Sequence, residues 1–462
     1  MSNFSKKFLI YFLSVFLLNS SLVSFAVEEA TKADEKNAVV IEKEPQKLIS
    51  GKITFDEISE KAKKHAHDIK IADFEILIAK QGIRDARSEY FPKIVATAGT
   101  EYTKNFKDYA TSTVTTVGDS FINPYTRFQS ILGVTLSYNV FDFGIRKNNL
   151  DMMKEDAKVK ELLVKEQLQE LGLTLTDSYC KLLITKKQID INKEILALEQ
   201  DTLKMKERLF EAKELSKTEL NDQKIKVKTI EKRISELSAI AIESLNWISF
   251  YTGENYDFEN ITVSEFKKPD FDPMEFNDYT KSITWQIQEK ELKKKELELR
   301  IAKKNYLPKV NAYSRYYVYG SDHSSYRDAI DDTSPSNWTV GASVIMPVFD
   351  GFKTSAAVQK ASLAYQQQLV QRDKAIANLM TRISSMRSNL MYLENQVEKG
   401  NELLEELIDK EKSIKRLAAK QVITPIELND TRVQVLEQMI DYEKTSSTAI
   451  ATLKGIEILT TY

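Results

Sequence analysis

The chain carries a single cysteine, Cys180, so no disulfide can form within it. Its only histidines are His65, His67 and His323. The first two are two residues apart, a spacing that a helix points to different sides, and no metal site is expected. No glycine-rich phosphate loop and no nucleophile motif occurs, so neither an enzyme nor a cofactor is expected. A net charge of −2 gives no electrostatic case for nucleic acid. Glycine and proline number 13 and 9 in 462 residues, while 29% of the chain is charged, which suits long solvated helices better than a compact globule. Long apolar runs are also missing. The one at residues 8–18 is too short to span a bilayer as a helix. It follows Lys6 and Lys7 and precedes Ser24-Phe25-Ala26, the layout of a secretory signal over residues 1–26. Cys180 lies far from that cleavage site, so it is no candidate for lipid modification. Residues 27–50 are polar and unpatterned and read as a flexible leader.

What the chain does have is an internal repeat. Phe55-Asp56 recurs as Phe271-Asp272, and Phe91-Pro92-Lys93-Ile94 as Leu307-Pro308-Lys309-Val310, both 216 residues on. Val140-Phe141-Asp142 recurs as Val348-Phe349-Asp350, Arg208-Leu209 as Arg416-Leu417, and Glu219-Leu220-Asn221-Asp222 as Glu427-Leu428-Asn429-Asp430, all 208 residues on. The single change of offset falls between Pro92 and Gly133, so the loop there is longer in the first copy.

Each copy has one order of segments. A helical stretch, residues 55–89 or 273–305, is stopped by Pro92 or Pro308. Alternating segments follow. Leu132, Val134, Leu136, Tyr138 and Val140 oppose Gly133, Thr135, Ser137 and Asn139; Trp338, Val340, Ala342, Val344 and Met346 oppose Thr339, Gly341 and Ser343. This period of two predicts strands with one apolar face. Residues 94–102 and 310–319 are the expected partners, with an alternation blurred by Arg315 and several tyrosines.

A long helix is then expected from Asp142 or Asp350. Leu168, Leu175, Leu182, Ile189, Leu196, Leu203 and Phe210 form a heptad stripe, matched by Ile376, Ile383, Leu390, Val397 and Leu404 until Glu411 and Ala418 interrupt it. A second stripe, Ile184, Ile191, Leu198 and Met205, lies on nearly the opposite side. Two seams suit a helix packed between neighbours on both sides, as in a cylinder. Capping boxes at Ser216-Lys217-Thr218-Glu219 and Thr424-Pro425-Ile426-Glu427 start the return helices. Four strands cannot close a membrane barrel and an open edge cannot sit in lipid, so membrane strands would force oligomerisation.

With its paired (Phe/Leu)-Pro-Lys entries, its Phe-Asp turns at 141–144 and 349–351, and its hairpin tips at 216–222 and 424–430, the chain resembles the TolC-like outer-membrane efflux proteins over about residues 50–460. The resemblance implies an α+β membrane protein of a Gram-negative outer membrane: a homotrimer with a twelve-stranded β-barrel, four strands per chain, continued by a long α-helical barrel into the periplasm. It implies a passive exit duct for an inner-membrane transporter, joined through a periplasmic adaptor, in drug or metal efflux or type I secretion. On this reading residues 51–91 hold the helices of the first repeat, 92–141 its strands and surface loop, and 142–250 its long hairpin. Residues 251–272 form an equatorial linker, 273–307, 308–349 and 350–455 repeat the three parts, and 456–462 end the chain. Family members carry glycine three residues before each hairpin N-cap, where Lys213 and Gln421 stand here. The best-studied member latches its inner tip with a tyrosine and an arginine, where Ala418 and Ile423 stand.

Glu427 and Asp430 share one helix face at i, i+3, and three-fold symmetry would turn them into carboxylate rings favouring cations. The plainer role of Glu427 is the N3 partner of its capping box. Glu411 and Ala418, which break the stripe, are further pore or gate candidates. Arg208, Leu209, Leu215 and Ser216, with Arg416, Leu417, Ile423 and Thr424, are candidate adaptor contacts, or else helix packing and capping. Tyr102, Phe106, Phe128, Tyr138, Phe141, Tyr316, Tyr317, Tyr319 and Trp338 could form aromatic girdles. Segments 104–127 and 321–337 read as surface loops. The alternatives are a periplasmic coiled-coil adaptor or scaffold without a barrel, and a trimeric adhesin.

Overall fold

The computed structural model describes residues 48–104, 115–117, 120–122, 128–270, 272–273 and 278–460. The expected signal, nearly all of the leader and Phe106 lie outside the described residues. The elements in chain order are β1 (Ile49–Ile53), α1 (Phe55–His65), α2 (His67–Ser88), β2 (Lys93–Tyr102), β3 (Thr115–Val117), β4 (Ser120–Ile122), β5 (Phe128–Phe141), α3 (Ile145–Glu211), α4 (Lys217–Thr252), β6 (Tyr256–Val263), α5 (Ile283–Lys304), β7 (Lys309–Asp322), α6 (Tyr326–Asp331), β8 (Ser334–Ile345), α7 (Lys353–Ala419) and α8 (Pro425–Thr460). The fold is mostly helical α+β, and contacts divide it into two units.

The first unit, built on residues 83–151 and 297–361, holds an antiparallel sheet of order β2-β5-β7-β8. Its register sets the two faces, because directly paired residues point the same way. Ile94 pairs with Leu136, Leu136 with Ser314 and Ser314 with Val340; Ala96, Val134, Tyr316 and Trp338 make the next row on that side. This apolar face is open, with Trp338 73%, Val340 67% and Val344 68% exposed. The other face carries Thr97, Gly133, Tyr317 and Asn337 in one row and Val95, Thr135, Arg315 and Thr339 in another. Tyr317 and Tyr319 therefore lie on the polar face, opposite Trp338, which splits the expected girdle. The tyrosines that blurred the alternation alternate themselves: Tyr316 belongs with the apolar row. Phe141 pairs with Val310 beyond a bulge at Val140. The segment expected as a second loop contains α6, capped by Ser325, which accepts from the Asp328 amide at 3.1 Å. In the first loop β3 and β4 pair antiparallel.

Both long helices begin three residues after the aspartate expected to open them. The chain turns through left-handed backbone first, at Phe143 and Gly144 (φ 54° and 79°) and at Gly351 and Phe352 (both 66°). Asp142 organises the first turn by accepting from the amides of Gly144 (3.0 Å) and Arg146 (3.1 Å) and from Arg146 Nε (2.9 Å). Asp350 does so with the Thr354 amide (2.9 Å) and hydroxyl.

The second unit comprises residues 45–82, 152–296 and 362–462. β1 pairs in parallel with β6, although 251–272 had read as a linker and β1 straddles the boundary between the leader (27–50) and the first repeat's helices (51–91). The helical stretch over 55–89 consists of two helices, separated at Ala66 (ψ 125°), and α5 starts only at Ile283 after a short 3₁₀ turn at Tyr279–Lys281. Under this small sheet lies the largest core cluster, including Phe55, Ile58, Leu175, Leu182 and Ile248. Its centre is Tyr179, fully buried, edge-on to Phe55 and Phe266. Its hydroxyl lies 2.7 Å from the Ser264 carbonyl and 3.2 Å from that of Ile53, which satisfies both chain segments bracketing the sheet. Burial pushes the Tyr179 hydroxyl far above the ordinary tyrosine range.

The two hairpins match in length: α3 and α7 have 67 residues each, α4 and α8 have 36 each. At 1.5 Å per residue the longer arms are roughly 100 Å. Helix α3 is packed on both sides. Ile195 meets Ile230 of α4 and Leu436 of α8 in one cluster. Leu175, Leu182 and Ile189 of the first stripe are buried. Helix α8 in turn packs on α7 through Leu390, Ala449, Leu453 and Ile456. The order α7-α8-α3-α4 leaves bare outer faces on the two end helices: Leu363, Val370 and Met391 of α7 and Ile225, Ile240 and Trp247 of α4 are exposed.

Candidate functional site

The two hairpin tips have one construction. Helix α3 ends in a Schellman motif, in which the Glu214 amide donates to the Leu209 carbonyl (2.9 Å) and the Lys213 amide to the Phe210 carbonyl (3.0 Å). Helix α7 repeats it, Val422 to Leu417 (3.1 Å) and Gln421 to Ala418 (2.9 Å). The motif needs a left-handed residue, and Lys213 and Gln421 take it at φ 64° and 59°. These are the positions at which the resembling family carries glycine, so the backbone of the turn is kept while its preferred residue is not. Three residues later the return helix is capped. Ser216 Oγ accepts from the Glu219 amide (3.2 Å) and Glu219 accepts from the Ser216 amide (3.0 Å). Thr424 and Glu427 make the same reciprocal pair, both at 3.3 Å. The Ser216 hydroxyl and amide hold the Glu219 carboxyl below its ordinary value.

The candidate residues fall on this frame as follows. Glu427 is exposed and engaged in the capping box, and Asp430 is half-buried one turn on. Around them α8 is tied to α3: Asn429 Nδ2 donates to Thr202 Oγ1 (3.1 Å), and Arg432 pairs with Glu194 (2.9 Å). Glu411 and Ala418 are half-buried in the last turns of α7. Arg208, Ser216, Arg416, Leu417 and Thr424 are exposed, whereas Leu209, Leu215 and Ile423 are half-buried. The exposed apolar side chains at the tips are instead Phe210, Leu417 and Val422, at 39%, 41% and 65%. Sequence reasoning missed Val422 because its outward place follows from the left-handed turn at Gln421, where no glycine marks it. Among the described residues no group of histidine, cysteine or carboxylate side chains could hold a metal ion. Nor is any described helix long and apolar enough to cross a membrane.

A second cluster joins sheet to helix. Arg146 pairs with Asp142 (2.9 Å) with both side chains nearly buried, donates to the Glu89 carbonyl (3.1 Å), and lies over the rings of Tyr90 and Tyr138. Burial opposes the charge on Asp142, but the amides of Arg146 and Gly144 and the guanidinium outweigh it and lower its pKa. Neither cluster contains the nucleophile–base geometry of a catalytic site.

Known structures share this fold at low identity. CusC, described as forming a transmembrane channel, superposes with a TM-score of 0.71 at 14% identity, over 87% of this chain and 91% of its own. The outer membrane protein VceC of Vibrio cholerae gives 0.70 at 13%, over 88% and 96%. The outer membrane channel CmeC of Campylobacter jejuni gives 0.69 at 14%, over 87% and 85%. No curated protein sequence matches the chain. A model of the outer membrane efflux protein family matches residues 58–254 and 286–452, most of the sequence. The chain belongs to the outer membrane efflux protein family.

Proposed function

We propose that the chain is one third of a homotrimeric outer-membrane exit duct. It is a passive conduit, not an enzyme, and it works with an inner-membrane transporter through a periplasmic adaptor. The observation that carries this reading is that the chain ends on unpaired edges in both of its layers. Among the described residues β2 and β8 each pair on one side only, and the sheet's apolar face is open. In lipid such edges must find strands, and three copies supply the twelve of a closed barrel. The end helices α7 and α4 carry bare apolar side chains that a neighbouring copy would cover, extending the duct as a helical barrel in the periplasm. The two hairpins of equal length support a duplicated unit behind this symmetry.

In this duct the tips at Arg208, Leu209, Leu215 and Ser216 and at Arg416, Leu417, Ile423 and Thr424 meet the adaptor. Glu427 and Asp430 form carboxylate rings at the periplasmic mouth, with Glu411 and Ala418 beside the gate. The test uses purified protein in planar lipid bilayers, with trimer formation followed by heat-modifiable migration on gels. Glu427→Gln keeps the capping box, which accepts glutamine as well as glutamate, and removes only charge. Glu427→Gln with Asp430→Asn is expected to lower cation selectivity. Unchanged selectivity would remove the rings, and a protein soluble without detergent would remove the duct.

A further inference from the structure

The four strands carry five charged residues: Lys93, Glu101, Lys309, Arg315 and Asp322. All three cations fall on the polar face. Lys93 pairs with Ser137 and Arg315 with Thr135 and Thr339, while Lys309 lies six residues before Arg315 on the same side of β7. Among the charged residues of these four described strands, only Glu101 opposes them on that face, near the far end of β2. At about 3.4 Å per residue the cations spread over roughly 20 Å of the strands, most of a membrane span.

These charges are held in place. The Arg315 guanidinium lies 4.7 Å from the centre of the Tyr313 ring. The tyrosines beside it lie flat on the sheet over glycines. A Cβ at Gly133 would come 2.3 Å from the Tyr317 ring, and one at Gly341 would come 2.6 Å from the Tyr313 hydroxyl. Lys93 and Lys309 line one cavity of about 400 Å³ with Asn139, Asn311, Glu89 and the Asp142–Arg146 ion pair, so the two lysines face one carboxylate outside that pair there.

We propose that Lys93, Lys309 and Arg315 make the barrel lumen anion-attracting, a specificity element opposite in sign to the tip carboxylates. The inference rests on the channel reading, which puts the polar face toward the lumen. A ring of fixed cations raises the local anion concentration, and salt screens the effect, with a Debye length of about 30 Å at 0.01 M against 3 Å at 1 M.

The test measures zero-current potentials of the full chain in planar bilayers under a tenfold KCl gradient, at low and at high salt. The combined variant Lys93→Gln, Lys309→Gln, Arg315→Gln is expected to raise the potassium-to-chloride permeability ratio about threefold at low salt, with the difference fading at 1 M. The charge-keeping set Lys93→Arg, Lys309→Arg, Arg315→Lys is expected to match the unaltered protein. If the combined variant fails to assemble, Lys93→Gln alone, whose side chain is exposed, should shift the ratio less but in the same direction. A ratio unchanged by charge removal overturns the inference while leaving the channel intact. An unaltered protein that conducts no ions overturns the channel reading and the inference with it.

Discussion

Lys213→Gly and Gln421→Gly should stabilise the hairpin tips, although glycine is ordinarily the poorest residue inside a helix apart from proline. Both residues sit at the left-handed position of a Schellman motif, at φ 64° and 59°. A side chain there costs about 1–2 kcal/mol, and glycine removes that cost. Glycine also widens the unfolded ensemble, which returns about 0.5–1 kcal/mol. The net is roughly 0.5–1 kcal/mol per tip, a two- to fivefold slowing of local opening. Hydrogen–deuterium exchange over residues 205–222 and 413–430 reads this directly, without unfolding the assembly. Lys204→Gly is the control. It lies on the same helix at an exposed position with ordinary helical backbone, and glycine there should loosen the helix by about 1 kcal/mol. One substitution type is thus expected to act with opposite signs nine residues apart. Faster exchange at both tips in the glycine variants would refute the account. It would mean that the Lys213 and Gln421 side chains make contacts worth more than their backbone strain.

Asp142→Asn should cost on the order of 3 kcal/mol, because it leaves the nearly buried Arg146 without its counter-charge. Asp350→Asn should cost less, since Asp350 is exposed and has no guanidinium partner, bonding to Thr354 and the Lys353 amide instead. The Asp142 pKa is lowered in the fold, so its contribution is complete above the unfolded value near 4 and is lost as pH falls through the folded value. The gap between Asp142→Asn and the unaltered protein in thermal unfolding should therefore be widest at neutral pH and shrink below about pH 4. Tyr179→Phe removes the hydroxyl that donates to the Ser264 and Ile53 carbonyls; Ile53 keeps the Ser264 amide, so the loss is about 1 kcal/mol. Protease cutting between β6 and α5 should rise with it.

The features legible in sequence were those whose partners are close in the chain or whose pattern is periodic. Capping boxes need only four residues, and both appear where Ser216 and Thr424 placed them. The alternation of Leu132 to Val140 and Trp338 to Met346 needs only a pleat, and it marks the inner strand β5 and the edge strand β8. The heptad line through Leu175, Leu182 and Ile189 is buried as its period requires. Non-local pairing was hidden. β6 is two hundred residues from β1, so neither strand had a neighbour to betray it, and 251–272 read as a linker. The break at Ala66 was equally silent, because no proline or glycine stands there. At the tips the left-handed turns were concealed by Lys213 and Gln421, and with them the outward set of Val422.

The bare face of α7 offers the most direct test of assembly. Val370 and Met391 are 68% and 61% exposed in a single chain, and no described side chain of the chain's own core packs over them. For a lone protomer, Val370→Lys and Met391→Lys would be surface changes worth within about 0.5 kcal/mol. In a closed ring each site is covered by the next copy. Burying such a side chain contributes about 1.5–3 kcal/mol, and it recurs at three interfaces. The double variant should therefore lose the heat-modifiable trimer on gels while keeping its helical circular dichroism. Glu402→Lys, at an exposed polar position of the same helix, should keep the trimer. Trimers that survive both lysines would mean that the apolar face of α7 is covered by something other than a second copy of this chain.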